Sequence, residues 1–320
     1  MQPLYTTGTA RIGGALPVAE PDYARYIPKN KLRRMDRLTR LALHTAHSAL
    51  EEAGVSMVDG VIMGVGQTTS STLDSMLRKM IAQQEGLTNP TSFMNSLLST
   101  AAGQIALQLA CEGYTNTHSQ RGFSVEAALL DASLQLGDNP GQSFVVGGLD
   151  VTHDSYEELS INYGHFSANK AMGVERRVGE GAATFVVTGL PTHRATACIR
   201  QVYTAYLPEA SGSQTPADPA QALFANEFPA VDLILSGRPA GNEAQNIYDQ
   251  LLAKFSANVP VINYKLDTGE FPTASAHGLH MAVQKLNDET VEGAETQTNR
   301  ILIINNYGER YYSAILVTRP

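Results

Sequence analysis

Apolar positions along the chain follow two rhythms that alternate. In Arg37–Ala53, Leu38, Leu41, Ala42, Ala46, Ala49 and Leu50 form one stripe at helical spacing, and Gly54 follows where a helix would stop. Gly60–Gln67 (GVIMGVGQ) is instead a short continuous apolar run entering a glycine turn, the mark of a strand buried on both faces. The same logic predicts helices in STLDSMLRKMIAQQEG and in STAAGQIALQLACEGY, whose small residues imply close packing by a neighbour. Asn116–Gly137 (NTHSQRGFSVEAALLDASLQLG) reads as a strand end, a tight turn and a long helix, and SFVVGGLDV and GAATFVVTGL read as strands. The second half repeats the grammar. ATACIRQVYTAYL, AVDLILSGRPAG and VPVINYKLD are strands, NEAQNIYDQLLAKF and TASAHGLHMAVQKLN are helices, and NRILIINNYGERYYSAILVTRP is a terminal hairpin turning near Tyr307–Glu309. Met1–Asn30 is punctuated by Gly and Pro and weakly patterned, and Leu207–Gln221 reads as a surface excursion. Strands alternating with helices in both halves predict a layered α/β fold.

Composition narrows the field. With 43% hydrophobic and 17% charged residues over 320 positions, the chain can bury a sizeable core. A formal net charge of −8 argues against nucleic acid or an anionic membrane as partner. The one basic cluster, Lys29–Arg40 (KNKLRRMDRLTR), reads as a solvated helix start. No run approaches the roughly 20 apolar residues of a membrane span, and the N-terminus has no apolar signal segment. Cys111 and Cys198 make neither a metal pattern nor a disulfide framework, and Cys111 reads as a small core residue inside its helix. The expectation is a cytoplasmic protein with reduced thiols, no metal and no cofactor. His277 and His280 lie three apart on a predicted helix, which reads as a packed or surface pair rather than a metal site. His118 and Ser119 are adjacent on a strand and point to opposite faces, which disfavours a Ser–His pair. GVGQTT lacks both phosphate-loop spacings.

Several motifs in register resemble the β-ketoacyl synthases of the thiolase fold. They are Met35–Val55 as the first long helix, STAAGQIALQLACEGYTNT before the nucleophile, VVGGLDV after the nucleophile helix, and Val178–Leu190 (VGEGAATFVVTGL) as the Gly-Glu-Gly-Ala strand. The resemblance covers most of Met35–Pro320 and implies a layered α/β/α/β/α fold built from two related halves, 1–190 and 191–320, in one compact unit. The chain is short for a full synthase, and the shortfall falls around residues 155–177 and 207–230.

The family's chemistry uses a Cys at a helix N-terminus, two His and a Lys. Counting back from Gly137 puts Gln120 at the Cys position, with an insertion in Asp138–Gln142; counting back from VVGGLDV puts Gly122 there instead. Gln120 is the favoured register, because loops absorb insertions more easily than helices. Ser236 stands at the first His position with Arg238 after it, and Glu270 stands at the second, while Lys265 is kept. The family's glycine-rich C-terminal loop becomes YGERYYSA. Loss of all three groups that act as a unit implies a discarded reaction. A Gln at the nucleophile position resembles chain-length factors, the inactive partners of type II synthases; it could also merely cap the helix or bond across a dimer interface. Arg238 and Glu270 are expected to pair across the emptied pocket, and a bare Glu270 would repel a malonyl carboxylate.

The resemblance thus implies a silent subunit without catalytic residues, partnered by an active β-ketoacyl synthase and indirectly by an acyl carrier protein, with polyene or aryl polyene pathways as the setting by analogy. Phe93, Met94, Leu97 and Leu98, within Asn89–Gln104, are expected at the acyl tunnel or the interface, with plain core packing as the alternative. The rival readings are a malonyl-carrier decarboxylase, or another thiolase-fold enzyme, using Gln120, and a self-paired homodimer.

Overall fold

The computed structural model describes residues 1–66, 70–85, 89–153, 178–207, 218–225, 227–238, 248–288, 298–308 and 310–320. Ten strands form one sheet: β1 (Leu4–Ala15), β2 (Gly60–Val65), β3 (Tyr114–His118), β4 (Ser143–Asp150), β5 (Gly179–Thr188), β6 (Ala197–Tyr206), β7 (Leu233–Gly237), β8 (Val261–Asn263), β9 (Arg300–Tyr307) and β10 (Tyr311–Thr318). Their order is β3-β2-β4-β5-β1-β6-β10-β9-β7-β8. Read from each end, the two groups of five have the same topology. β2 is parallel to β3 and β4, and β4 runs antiparallel to β5, which is antiparallel to β1. β7 is likewise parallel to β8 and β9, and β9 runs antiparallel to β10, which is antiparallel to β6. A short antiparallel contact, Leu4–Thr6 against Ala197–Ile199, joins the groups.

The principal helices are α1 (Arg37–Ala53), α2 (Ser70–Ala82), α3 (Pro90–Asn95), α4 (Thr100–Gln108), α5 (Ser124–Asp138), α6 (Pro219–Phe224) and α7 (Ala274–Asn287). α5 and α7 touch strands of both groups and form the middle layer. The central core joins Val125, Leu129 and Leu136 of α5 to Leu279 and Val283 of α7, with Phe144 and Phe185 on one side and Ile301 and Ile315 on the other. α1 and α4 cover the outer face of the first group. α6 and Tyr248–Leu251 cover that of the second. The result is the expected α/β/α/β/α layering.

α1 shows how sequence sets an element. Asp36 caps its start, accepting the Thr39 N–H at 3.0 Å. Gly54 ends it at φ 67°, where a side chain would be strained, and its N–H bonds the Glu51 carbonyl. A cap of this kind contributes about 1 kcal/mol.

Three expectations change. The weakly patterned N-terminus holds β1, a 12-residue strand in the middle of the sheet. Its register comes from β5 along nearly its whole length, not from its own apolar residues. Gly8 must lack a side chain, since a Cβ would lie 2.3 Å from the Ala49 carbonyl oxygen of α1. Second, burial on both faces fails at β3 and β8, the sheet's edges, and at β6, where Arg200, Gln201, Thr204 and Tyr206 are exposed. Third, α4 ends at Gln108, so Cys111 lies beyond the helix, half-buried against the outer core. Of the regions 155–177 and 207–230, residues 155–177 and 208–217 lie outside the described residues. Pro219–Phe224 form α6 with Pro219 and Ala220 buried, so the end of the expected Leu207–Gln221 surface excursion is a core-facing helix start. The loop after Arg238 and the start of the helix before Tyr248 also lie outside the described residues.

Candidate functional site

The turn that would seat a nucleophile forms as the pattern predicts. β3 ends at His118, a 3-10 turn spans Arg121–Phe123, and α5 begins at Ser124. The buried Ser124 hydroxyl organises it, accepting the Gln120 N–H at 2.9 Å and lying 2.8 Å from the Arg121 carbonyl oxygen. Arg121 adopts φ 52°, a left-handed conformation costly for a side-chain-bearing residue. The residue that leads into the turn is Gln120. Gln120 is exposed and its side chain makes no cap hydrogen bond, so the helix-capping reading fails. α5 continues unbroken to Asp138, and the next residues fold into a turn closed by the Gln142 N–H on the Asn139 carbonyl.

Other loops converge on this turn. A Cβ on the buried Gly122 would lie 2.8 Å from the Cβ atoms of both Tyr307 and Tyr311, so the turn rests on the tip of the β9–β10 hairpin. Tyr311 also meets the rings of Phe123 at 5.0 Å and Tyr206 at 5.2 Å. A Cβ on Gly66 would meet Pro272 and the Arg121 carbonyl, which brings the Glu270–Thr273 segment alongside. β7 pairs with β9, placing Ser236 and Gly237 opposite Ile304 and Asn305.

Lys265 and Glu270 form a buried ion pair. Lys265 Nζ donates to both Glu270 oxygens, at 3.1 and 3.0 Å, and to the Asn306 carbonyl. Side-chain exposures of 5% and 3% put both charges out of water. The chain turns at Gly269, φ 72°, where a Cβ would collide with Gly179, and this bend folds Glu270 back onto the lysine. The expected Arg238–Glu270 pair does not form. Arg238 binds Asp249 instead, at 2.9 Å, and Glu270 meets Lys265. Nor is Glu270 a bare carboxylate poised to repel an anion, since its charge is matched. Ser236 is buried, and its hydroxyl has no partner among the described residues.

Two acids escaped the sequence reading. Glu126, on the inner face of α5, is fully buried and accepts the Ser313 hydroxyl at 2.6 Å. Burial raises its pKa, outweighing the Ser313 bond that opposes the rise. Asp131, one turn further along, accepts hydrogen bonds from three β3 side chains. The signal available in FSVEAALLDASL was a lone acid recurring within an otherwise apolar helix.

The remaining candidates separate. His118 pairs with Asp131 at 2.8 Å, and no bond joins it to Ser119. His280 Nδ1 bonds the Thr9 hydroxyl at 2.9 Å, and His277 packs on Phe271 with both ring nitrogens unpartnered among the described residues. Burial, then the Arg11 charge, lowers both pKa values, that of His280 to about 4, so both rings are neutral at pH 7. No cluster of three metal-ligating side chains occurs among the described residues. Phe93 and Met94 are 51% and 52% exposed on α3, Leu97 is exposed just beyond it, and Leu98 packs partly against the outer core. For Phe93 and Met94, plain core packing is therefore excluded within this chain.

A model of the "Beta-ketoacyl synthase, N-terminal domain" matches residues 11–192, more than half of the chain. The chain belongs to the β-ketoacyl synthase family. No curated protein sequence matches it. Among solved structures, "The ishigamide ketosynthase/chain length factor" superposes with a TM-score of 0.78 at 17% identity, covering 100% of this chain and 99% of that one. A β-ketoacyl synthase from Burkholderia phymatum STM815 gives 0.77 at 15% identity, with full coverage of both chains. "AntDE:AntF (apo)", a type II polyketide synthase acyl-carrier protein in complex with its ketosynthase bound to the hexaketide, gives 0.76 at 12% identity, covering 100% and 99%. At such identities the likeness establishes the ketosynthase fold. Within that fold, the Arg121–Phe123 turn rests on the tip of the β9–β10 hairpin, and the Asn306 carbonyl of that hairpin binds Lys265.

Proposed function

We propose that the chain is a catalytically silent ketosynthase-fold subunit. It pairs with an active β-ketoacyl synthase in the manner of a chain-length factor and shapes the acyl tunnel of a type II polyketide-type system. The observation that carries the reading is the chemistry of the turn and its neighbours. The favoured motif register puts Gln120, an exposed residue, at the nucleophile position, and an amide is no nucleophile. The amine of Lys265 is bound to Glu270 and to a carbonyl oxygen. In the same register Ser236 and Glu270 stand where the family's two His are expected, and both are buried. The likeness to a ketosynthase/chain length factor over the whole chain supports the partner role.

The surface supports pairing. β3 is an outer strand of the sheet, and its sequence YTNTH carries neither the Lys nor the Pro with which proteins usually protect such an edge. Two helices that touch β3, α4 and α5, expose Leu107 and Leu134 at 74% and 72%. Covering such a surface in a permanent complex buries on the order of 2,000 Å² or more. Phe93, Met94 and Leu97 then bound the tunnel or the interface, the carrier protein is met through the active partner, and the two halves 1–190 and 191–320 act as one unit in the cytoplasm. Light scattering of the chain with and without a co-expressed synthase that keeps its Cys and both His tests this. A mixed dimer is expected, and a chain that stays monomeric in both samples contradicts it.

A further inference from the structure

We propose that Asp131 is the positioning residue that holds β3 in its pairing shape; the inference rests on the partner role above. One carboxylate oxygen of Asp131, Oδ2, lies 3.1 Å from the Tyr114 hydroxyl, 2.9 Å from Asn116 Nδ2 and 2.8 Å from His118 Nε2. Tyr114, Asn116 and His118 are alternate residues of one strand and share its inner face. They account for every second side chain of β3, and all three converge on a single acceptor carried by the long helix α5. Burial alone would raise the Asp131 pKa, but the bonds from His118, Asn116 and Tyr114 outweigh it and leave the carboxyl below its usual value.

This arrangement answers a specific difficulty. β3 has five residues and, among the described residues, pairs with β2 alone, on one side. A short edge strand with polar side chains frays, and a frayed strand must be ordered afresh on every encounter, which weakens binding. Gathering its inner side chains on one fixed carboxylate supplies that order beforehand. The outer backbone edge and the Leu107 and Leu134 rim are then presented as a ready template for an added strand. The occupant is the corresponding edge strand of the active ketosynthase subunit. Asp131 touches no reacting group; it acts through the strand.

The test measures association of the chain with the co-expressed ketosynthase subunit by sedimentation velocity, alongside hydrogen exchange at residues 114–118 in the isolated chain. Asp131→Ala is expected to weaken the pair at least about tenfold, the equivalent of 1.4 kcal/mol, and to speed exchange selectively in 114–118. Asp131→Asn retains an acceptor oxygen and is expected to recover most of the affinity. Asp138→Asn, an exposed acid at the end of the same helix, should change neither readout. Wild-type pairing that persists undiminished in Asp131→Ala overturns the positioning role and leaves the partner reading standing. An affinity loss that merely follows global unfolding, with exchange raised throughout the chain, also overturns it. A wild-type chain that stays monomeric, or that pairs only with its own copy, overturns both.

Discussion

Replacing one member of the Lys265–Glu270 pair should be among the most destabilising single changes in the molecule. Both side chains are at most 5% exposed, and the amine donates to both Glu270 oxygens and to the Asn306 carbonyl. Glu270→Ala would leave an ammonium without its counter-ion in the protein interior, which typically costs about 3–5 kcal/mol. At roughly 2–4 °C per kcal/mol for a domain of a few hundred residues, the melting temperature should fall by about 6–20 °C. Lys265→Met should cost a similar amount, since it strands the carboxylate and frees the carbonyl. The double variant Lys265→Met/Glu270→Leu should cost much less than the two singles added, because an apolar pair of similar volume needs no desolvation. Thermal and urea unfolding of the four proteins, read as a double-mutant cycle, measures the coupling. In the reconstituted heterodimer, product yield should track the folded fraction. Single costs below about 1 kcal/mol, or additive costs, would refute the buried pair. Loss of product in a fully folded Lys265→Met variant would refute the claim that the lysine is structural.

Three further outcomes are expected. Glu126 has a raised pKa in the fold, so the stability it contributes is present below the usual carboxylate range and is lost as pH climbs through the raised value. Glu126→Gln should therefore flatten the fall in urea midpoint as pH rises above the usual carboxylate range, and an unchanged slope would count against the buried neutral acid. Phe93→Ala, at a half-exposed position, should cost well under the 3–5 kcal/mol of a core Phe while lengthening the heterodimer's products; a large drop in melting temperature with unchanged lengths would contradict it. Intact-mass spectrometry after incubation with acyl carriers or a cerulenin-like epoxide should find no adduct on residues 117–124, whose sequence contains no Cys.

How much of this was legible depended on which interactions are local. α1, α5 and α7 announce themselves through apolar spacing, and β2, β4, β5, β7, β9 and β10 through Val- and Ile-rich runs that neighbours bury on both sides. β1 was hidden because LYTTGTARIGGA is ordered by β5 and β6, partners more than 160 residues away (Ala15 to Gly179 being the shortest separation). The end of α4 at Gln108 was equally hidden, since the apolar pattern runs on through Leu109 and Ala110 while the backbone leaves the helix, with Ala110 at φ 51°. At the site, the motif spacing singled out Gln120, Ser236, Lys265 and Glu270, and of these the structure joins Lys265 to Glu270. The spacing could not show which cation Glu270 meets, because that follows from the bend at Gly269. Asp131 was invisible for the opposite reason: its partners form one face of a strand, and only the fold sets that face over α5.

The most direct test of the silent-partner account is turnover with malonyl carrier protein, measured for the chain alone, for the active synthase alone and for the mixture. The account predicts no decarboxylation or condensation by the chain alone, full elongation only in the mixture, and a Gln120→Ala mixture that still elongates. Decarboxylation by the isolated chain that disappears in Gln120→Ala would contradict it.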